Sequence, residues 1–400
     1  MSVQTSDGLA RALRRCVGML ALLIAVSATA APFVPRDEAQ VLERLPSRST
    51  PQYRELKSLR MAAAQAPDDA TRAAALATAY IRASRLEGDP RFLGYAQAAL
   101  APWWSDPAAP TKVVVLRATI LQSNHQFDAA VADLDRVSQR EPRNLQATLT
   151  RATVLTVQGK YERARLDCER LFGIAPEIYP TICLAAIDSM TGNAAGAYQS
   201  LQHALLTSTR VDTEARVWAE TLLGEIAHRR NDPAAEQHFR AALDVGGRDL
   251  YLLGAYADWL LDRRRAAEVI EMLQNETRVD ALLLRLALAQ RALERPEADA
   301  SIETLRARFD ASHARGDTVH QRENARFELF LGGGAAAALP YAIADWQVQR
   351  EAADLRILVE AAAAAHASDA LATARQWFDA SRLEYRAVAR LLEDSGRSAQ

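Results

Sequence analysis

The chain has 400 residues, 48 of them basic and 50 acidic, for a formal charge of -2. So even a balance supplies no long-range positive field to gather nucleic acid or anionic lipid. Hydrophobic residues at 49% and charged residues at 24% suit a folded chain, while sparse aromatics (6%) and recurrent alanine favour helices that approach closely.

Residues 1–30 read as a Sec-type signal peptide. Arg11, Arg14 and Arg15 precede an apolar run from Val17 to Val26, and Ala28-Thr29-Ala30 supplies a small-residue cleavage site. Cleavage is expected after Ala30, because a cut one residue later would leave Pro32 at the new N-terminus. The run is shorter than the roughly 20 residues that span a bilayer, so no stable membrane insertion is expected after cleavage. Cys16 lies before the apolar run, where a lipid-anchoring cysteine would lie after it. Removing residues 1–30 deletes Asp7 and the three arginines, a net +2, and takes the charge from -2 to -4. The expected location of the processed chain is the periplasm or the medium. Residues 31–69 fit no repeat; Asp37 to Leu45 and Gln52 to Gln65 read as helices that cap the first repeat.

From residue 70 the chain is periodic. Arg117-Ala118, Ala130, Leu134, Val137 and Pro142 return in the same order and spacing as Arg151-Ala152, Ala164, Cys168, Leu171 and Pro176. Apolar spacings of three and four give each block two helices, the first block running from about Thr111 to Ser123 and from Phe127 to Arg140 around a polar turn at Asn124–Gln126. Gly159 supplies the turn of the next block. Ala118 and Ala130 fall where the two helices cross, and an aromatic, Phe127 or Tyr161, opens each second helix.

These features resemble the tetratricopeptide repeat: a period of about 34 residues, small residues at the crossing, an opening aromatic and a closing proline. The resemblance implies an all-α fold, a right-handed superhelical solenoid of helix-turn-helix repeats whose first helices line a groove for a protein or peptide partner. Looser copies carry Ala77 with Ala96, Ala185 with Ala197, Gly224 with Ala235, Gly254 with Ala266, Leu286 with Ala298, Ala325 with Ala337, and Ala362 with Ala374. The reading is about nine hairpins over residues 70–394 and a disordered tail at 395–400. Irregular spacing after Tyr198, Pro340 within a helical stretch and Gly332-Gly333-Gly334 predict local irregularity or a bend. Cys168 and Cys183 fall on adjacent helices, so a disulfide is conceivable; two small buried side chains is the simpler reading.

The register places Lys112, Thr119, Gln122, Ser123, Thr153 and Thr156 on the groove wall. Beyond them stand Trp218, Glu225, His228, Arg229, Arg248, Tyr251, Asp258 and Trp259, of types that dominate interface energetics. A register shift of one would turn Trp218 and Trp259 into packing residues. Trp103-Trp104 is either a second surface anchor or a filler between repeats. Repeat domains that grip acidic chaperone tails share a lysine and asparagine pattern that Lys112 alone does not meet. No phosphate-cradling glycine loop, HExxH, CxxC or GxSxG stands in the sequence, and His228 and His238 fall on different helices, so no catalytic residue, metal site or cofactor is expected. The function expected is an exported, non-enzymatic scaffold that holds a protein or peptide, not nucleic acid. The alternative is a permanent accessory subunit of a cell-envelope assembly or transport machine, ahead of an enzyme with an unrecognised site.

Overall fold

The computed structural model describes Asp37 and residues 50–397. The signal segment, its cleavage position and most of the expected helix from Asp37 to Leu45 lie outside the described residues. The chain divides into two units, residues 1–54 and 55–400. In the first, Thr50 Oγ1 accepts the Tyr53 backbone N–H at 3.2 Å, at the start of helix α1 (Pro51–Gln65). The boundary thus falls inside the expected capping segment, ahead of the repeats.

All the regular elements in the described residues of the second unit are helices. Nine hairpins follow α1: α2 (Ala70–Glu87) with α3 (Arg91–Ala99), α4 (Thr111–Ser123) with α5 (Phe127–Arg140), α6 (Leu145–Val157) with α7 (Tyr161–Leu171), α8 (Ile178–Met190) with α9 (Ala194–Thr207), and α10 (Thr213–Arg229) with α11 (Ala235–Gly246). They continue as α12 (Leu250–Asp262) with α13 (Ala266–Leu273), α14 (Asp280–Ala292) with α15 (Glu297–Ala314), α16 (Gln321–Phe330) with α17 (Ala335–Val348), and α18 (Ala352–Ala364) with α19 (Ser368–Ser381). Helix α20 (Arg386–Arg397) closes the series. The first helix of each hairpin packs on the first helix of the next, which is the construction of an all-α solenoid.

The crossings are built as the residues dictate. Ala118, Ala130, Ala152 and Ala164 are fully buried, and the same holds for Ala77 with Ala96 and for Ala235. Where the repeat has Gly224, a methyl group would meet the ring of Phe239. Most first helices end on a left-handed residue: Gly88, His125, Gly159, Gly192, Asn231, Arg264, Glu294 and His366 all have positive φ. Only three of these eight are glycine, so the turn geometry holds where its preferred residue is missing.

Two buried ion pairs repeat with the backbone. Arg117 is bidentate to Asp133 (2.6 and 2.8 Å), and Arg151, one repeat on, is bidentate to Asp167 (2.7 and 2.6 Å). Arg117 Nη1 also donates to the carbonyls of Trp103 and Trp104 at 3.1 and 2.7 Å. Both tryptophans pack against the first apolar cluster, so the pair fills a gap between hairpins.

Three expectations are corrected. Cys168 and Cys183 are joined, with Cα atoms 5.5 Å apart, and tie α7 to α8. Pro340 lies inside α17, and the glycines before that helix form a tight turn in which Gly333 N donates to Glu328 Oε2 at 2.6 Å. Ser395 to Arg397, expected as part of a disordered tail, complete α20, where Ser395 Oγ donates back to Leu391 O. Thr119 is buried, its hydroxyl given to Val115 O, so it does not face a groove.

The repeats curve tightly enough for successive turns of the solenoid to meet. The backbone N–H of Arg350, before α18, donates to the carbonyl of Val157 at the end of α6 (2.7 Å), and Tyr161 Oη donates to Arg350 O (3.2 Å). The Ala194 N–H donates to Glu384 (3.0 Å), which also pairs with Arg230. Arg248 spans from Glu276 to the carbonyl of Leu86. These contacts join residues far apart in the chain, by 190 positions for Ala194 and Glu384 and 162 for Arg248 and Leu86, and narrow the concave face to a lumen.

Candidate functional site

The lumen holds two adjoining cavities that share the wall residues Glu225, Arg229, Arg322, Ala352 and Ala353. Their linings come mainly from first helices, because in a solenoid these form the inner layer.

The larger, 710 Å³, is mostly apolar. Met190 of α8, Val217, Trp218 and Leu222 of α10, Tyr161 of α7 and Tyr251 of α12 line it, with Thr153 and Thr156 of α6 on one side. Tyr251 is 59% exposed to this space and donates its hydroxyl to Glu225 at 2.7 Å. The Glu225 carboxylate, and then burial, push the Tyr251 phenol well above its ordinary value, while burial raises the Glu225 carboxyl in turn.

The smaller cavity, 350 Å³, is cross-linked by charge. Asp258 on α12 receives Arg285 of α14 at 2.6 Å and Arg326 of α16 at 2.5 Å. Burial opposes ionisation of Asp258, but the two guanidinium groups outweigh it and hold the carboxyl at about 2. Asp262, one turn along α12, receives Arg356 of α18 at 2.6 and 2.7 Å, and His228 Nε2 of α10 lies 2.8 Å away. Against its burial, these partners hold Asp262 well below the carboxylate range. Arg322 of α16 meets Glu351 at 3.1 Å and the fully buried Asp354 at 3.0 Å, and burial keeps the Asp354 carboxyl well above its usual value. The pairs between α12 and α18 join hairpins three steps apart, which only a closely wound inner layer permits.

Seven of the eight residues expected on the wall line these cavities: Trp218, Arg248 and Tyr251 the larger, His228 and Asp258 the smaller, Glu225 and Arg229 both. Trp259 does not. It is 3% exposed, packed beside Tyr256 with Arg263 and Arg265 over its ring, because it sits one residue, about 100° of helix, away from the inward stripe of Asp258 and Asp262. Lys112, Gln122 and Ser123 line neither cavity. The opposite wall, Arg322, Glu323, Arg326, Arg350, Glu351 and Arg356, was not expected from the sequence. Its arginines recur at four-residue spacing in α16 (Arg322, Arg326), a pattern that also describes any solvated helix face.

His228 and His238 have separate partners, the latter between Tyr198 Oη (2.6 Å) and Glu220 (2.7 Å). Among the described residues no group of three or more His, Cys, Asp or Glu side chains is placed to hold a metal ion, and no helix is long and apolar enough to cross a membrane.

No family model and no curated protein matches the sequence. Solved structures with a similar fold include a tetratricopeptide repeat protein from Parabacteroides merdae, at 17% identity over 58% of this chain and 92% of that one, TM-score 0.37. Human IFIT1, solved as a dimer with PPP-AAAA, aligns over 87% of each chain at 13% identity and TM-score 0.44. The same protein with m7Gppp-AAAA aligns at TM-score 0.38, 13% identity, over 87% of this chain and 86% of that one. Likenesses this distant carry no information about ligand or partner.

Proposed function

We propose that this chain is an exported, non-catalytic scaffold that holds a segment of a protein partner in the lumen of its repeats. The observation that carries the reading is the lumen itself. Its larger cavity falls within the roughly 300–1,000 Å³ of ordinary ligand pockets, pairs aromatic and aliphatic walls with a few polar groups, and leaves Tyr251 largely uncovered. Aromatic side chains left open in a concave site are the anchors that interfaces use. A nucleic acid fits poorly, since Arg248, Arg285, Arg322, Arg326 and Arg356 are each already matched to carboxylates. Export is supported by the N-terminal signal pattern and by the Cys168–Cys183 bridge, a feature of oxidising compartments.

Ala353 is exposed to both cavities, so Ala353→Trp fills the lumen without entering the core. A partner captured from the host envelope by the parent chain and lost with a folded Ala353→Trp chain would support the reading. The accessory-subunit alternative draws on Leu166, Phe172 and Leu206, exposed by 56%, 51% and 81% at second helices. A partner kept by Ala353→Trp but lost with Leu206→Asp would place binding on the outer face instead.

A further inference from the structure

Glu225 and Arg229 stand four residues apart on α10, with the acid toward the N-terminus, the spacing at which such residues pair on a helix surface. They make no ion pair here. Tyr251 Oη donates to Glu225 at 2.7 Å, and Arg229 Nη2 donates to Ser189 Oγ of α8 at 2.9 Å, so the two charges are drawn apart. Among the described residues neither has an oppositely charged partner within ion-pair distance, whereas Asp258, Asp262, Arg322 and Arg356 around them all do. Arg229 is 8% exposed, and its Nε has no hydrogen-bond partner. Burying a charge without a counter-charge costs several kcal/mol, so a splayed pair at the junction of two cavities is an arrangement that needs compensation. Burial raises the Glu225 carboxyl despite the nearby guanidinium, so its ionised form is incompletely compensated where it stands.

We propose that Glu225 and Arg229 form a receptor for a zwitterionic group, a cation against the Glu225 carboxylate and an anion against the Arg229 guanidinium, with the rest of the ligand in the Trp218- and Tyr251-lined cavity. The chemistry is shared by two sources: adjacent basic and acidic side chains in a peptide, and a free amino acid. A lone cation would meet Arg229 and a lone anion would meet Glu225, so a ligand of one sign leaves one charge uncompensated. The inference rests on the lumen reading above and names the ligand class for it.

The test is calorimetric titration of the full chain with end-capped peptides Ala-Lys-Glu-Ala, Ala-Lys-Gln-Ala and Ala-Gln-Glu-Ala, and with free lysine and glutamate. The Lys-Glu peptide is expected to bind at least tenfold more tightly than either half-charged peptide. Glu225→Gln, which keeps an acceptor for Tyr251 and removes the charge, is expected to abolish that preference while leaving circular dichroism unchanged. Free amino acids binding in place of the peptide would support the zwitterion site and overturn the peptide source. Equal binding of all three peptides, lost in Ala353→Trp, would overturn the zwitterion site while the lumen reading stands. No binding by any probe, with a partner still captured by the parent and lost in Ala353→Trp, would overturn the zwitterion site alone; loss of that capture result too would overturn both.

Discussion

The lumen owes its shape to a few side chains, among them Asp258, which joins Arg285 of α14 to Arg326 of α16. Its carboxylate is held at about 2 by Arg285 and Arg326, against an unfolded value near 3.8. A depressed acid stabilises the fold at every pH above its unfolded value and loses that contribution as pH falls through the folded one. The native chain should therefore exceed Asp258→Asn by on the order of 2 kcal/mol at neutral pH, and the gap should close between about pH 4 and pH 2. Urea titrations of both chains at pH 7 and pH 3 measure it; a gap unchanged at pH 3 would mean that Asp258 contributes through packing alone. The repeated pairs behave differently, because they are buried on both sides. Asp133→Ala leaves Arg117 without a counter-ion and should cost about 3–5 kcal/mol, whereas Arg117→Met with Asp133→Leu should come close to neutral. Equal losses in the single and the double variant would show that the site tolerates no apolar substitute.

At the scale of elements, the hairpin is held by small crossings and by left-handed turns. Arg264, with φ of 58°, ends α12 where glycine would be unstrained. Its replacement by glycine should raise the urea midpoint by an amount equivalent to about 0.5–1 kcal/mol, the left-handed strain of roughly 1–2 kcal/mol less the added chain entropy. A lower midpoint would place a contact of the Arg264 side chain above its backbone strain. Between hairpins, the disulfide closes a 15-residue separation, and Cys183→Ala should lower stability by about 3 kcal/mol under oxidising conditions and by nothing further when reductant is added. Continued sensitivity of that variant to reductant would contradict the single bridge.

How far the sequence carried depends on the same elements. The alanines at 118, 130, 152 and 164 mark the repeat, because only small side chains fit a close crossing and their spacing survives in the sequence. The Arg117–Asp133 pair was legible too, since Asp133 recurs at Asp167 in the same period, but only the arginine half entered the register. After Tyr198 the spacing drifts. The inward stripe of α12 can be located only to within a residue, enough to place Asp258 and to misplace Trp259.

For the repeat unit as a whole, periodicity describes neighbours and is silent about contacts between turns. Arg350 meets Val157 across nearly half the chain, and Arg356 meets Asp262 across 94 positions, so the far wall of the lumen follows from the accumulated rotation of every hairpin and from no local pattern. The open groove expected from first helices is for this reason a narrowed space, mostly apolar in one part and cross-linked by charge in the other. Its wall is an amphoteric surface in which Glu225 and Arg229, one turn apart on the same helix, are drawn to Tyr251 and Ser189 instead of to each other.

The closure of successive turns is the claim on which the lumen depends, and the Arg350 amide tests it most directly. Arg350 lies between α17 and α18, and its N–H bonds to the Val157 carbonyl of a distant hairpin. The measurement is native-state amide hydrogen exchange at Arg350 in the parent chain and in Arg356→Ala, which removes the bidentate link to Asp262. Slow exchange in the parent, accelerated in the variant while the amides of α6 stay protected, is the expected result. Exchange at the rate of an open loop in the parent chain would mean that the turns do not meet and that the concave face is an open groove.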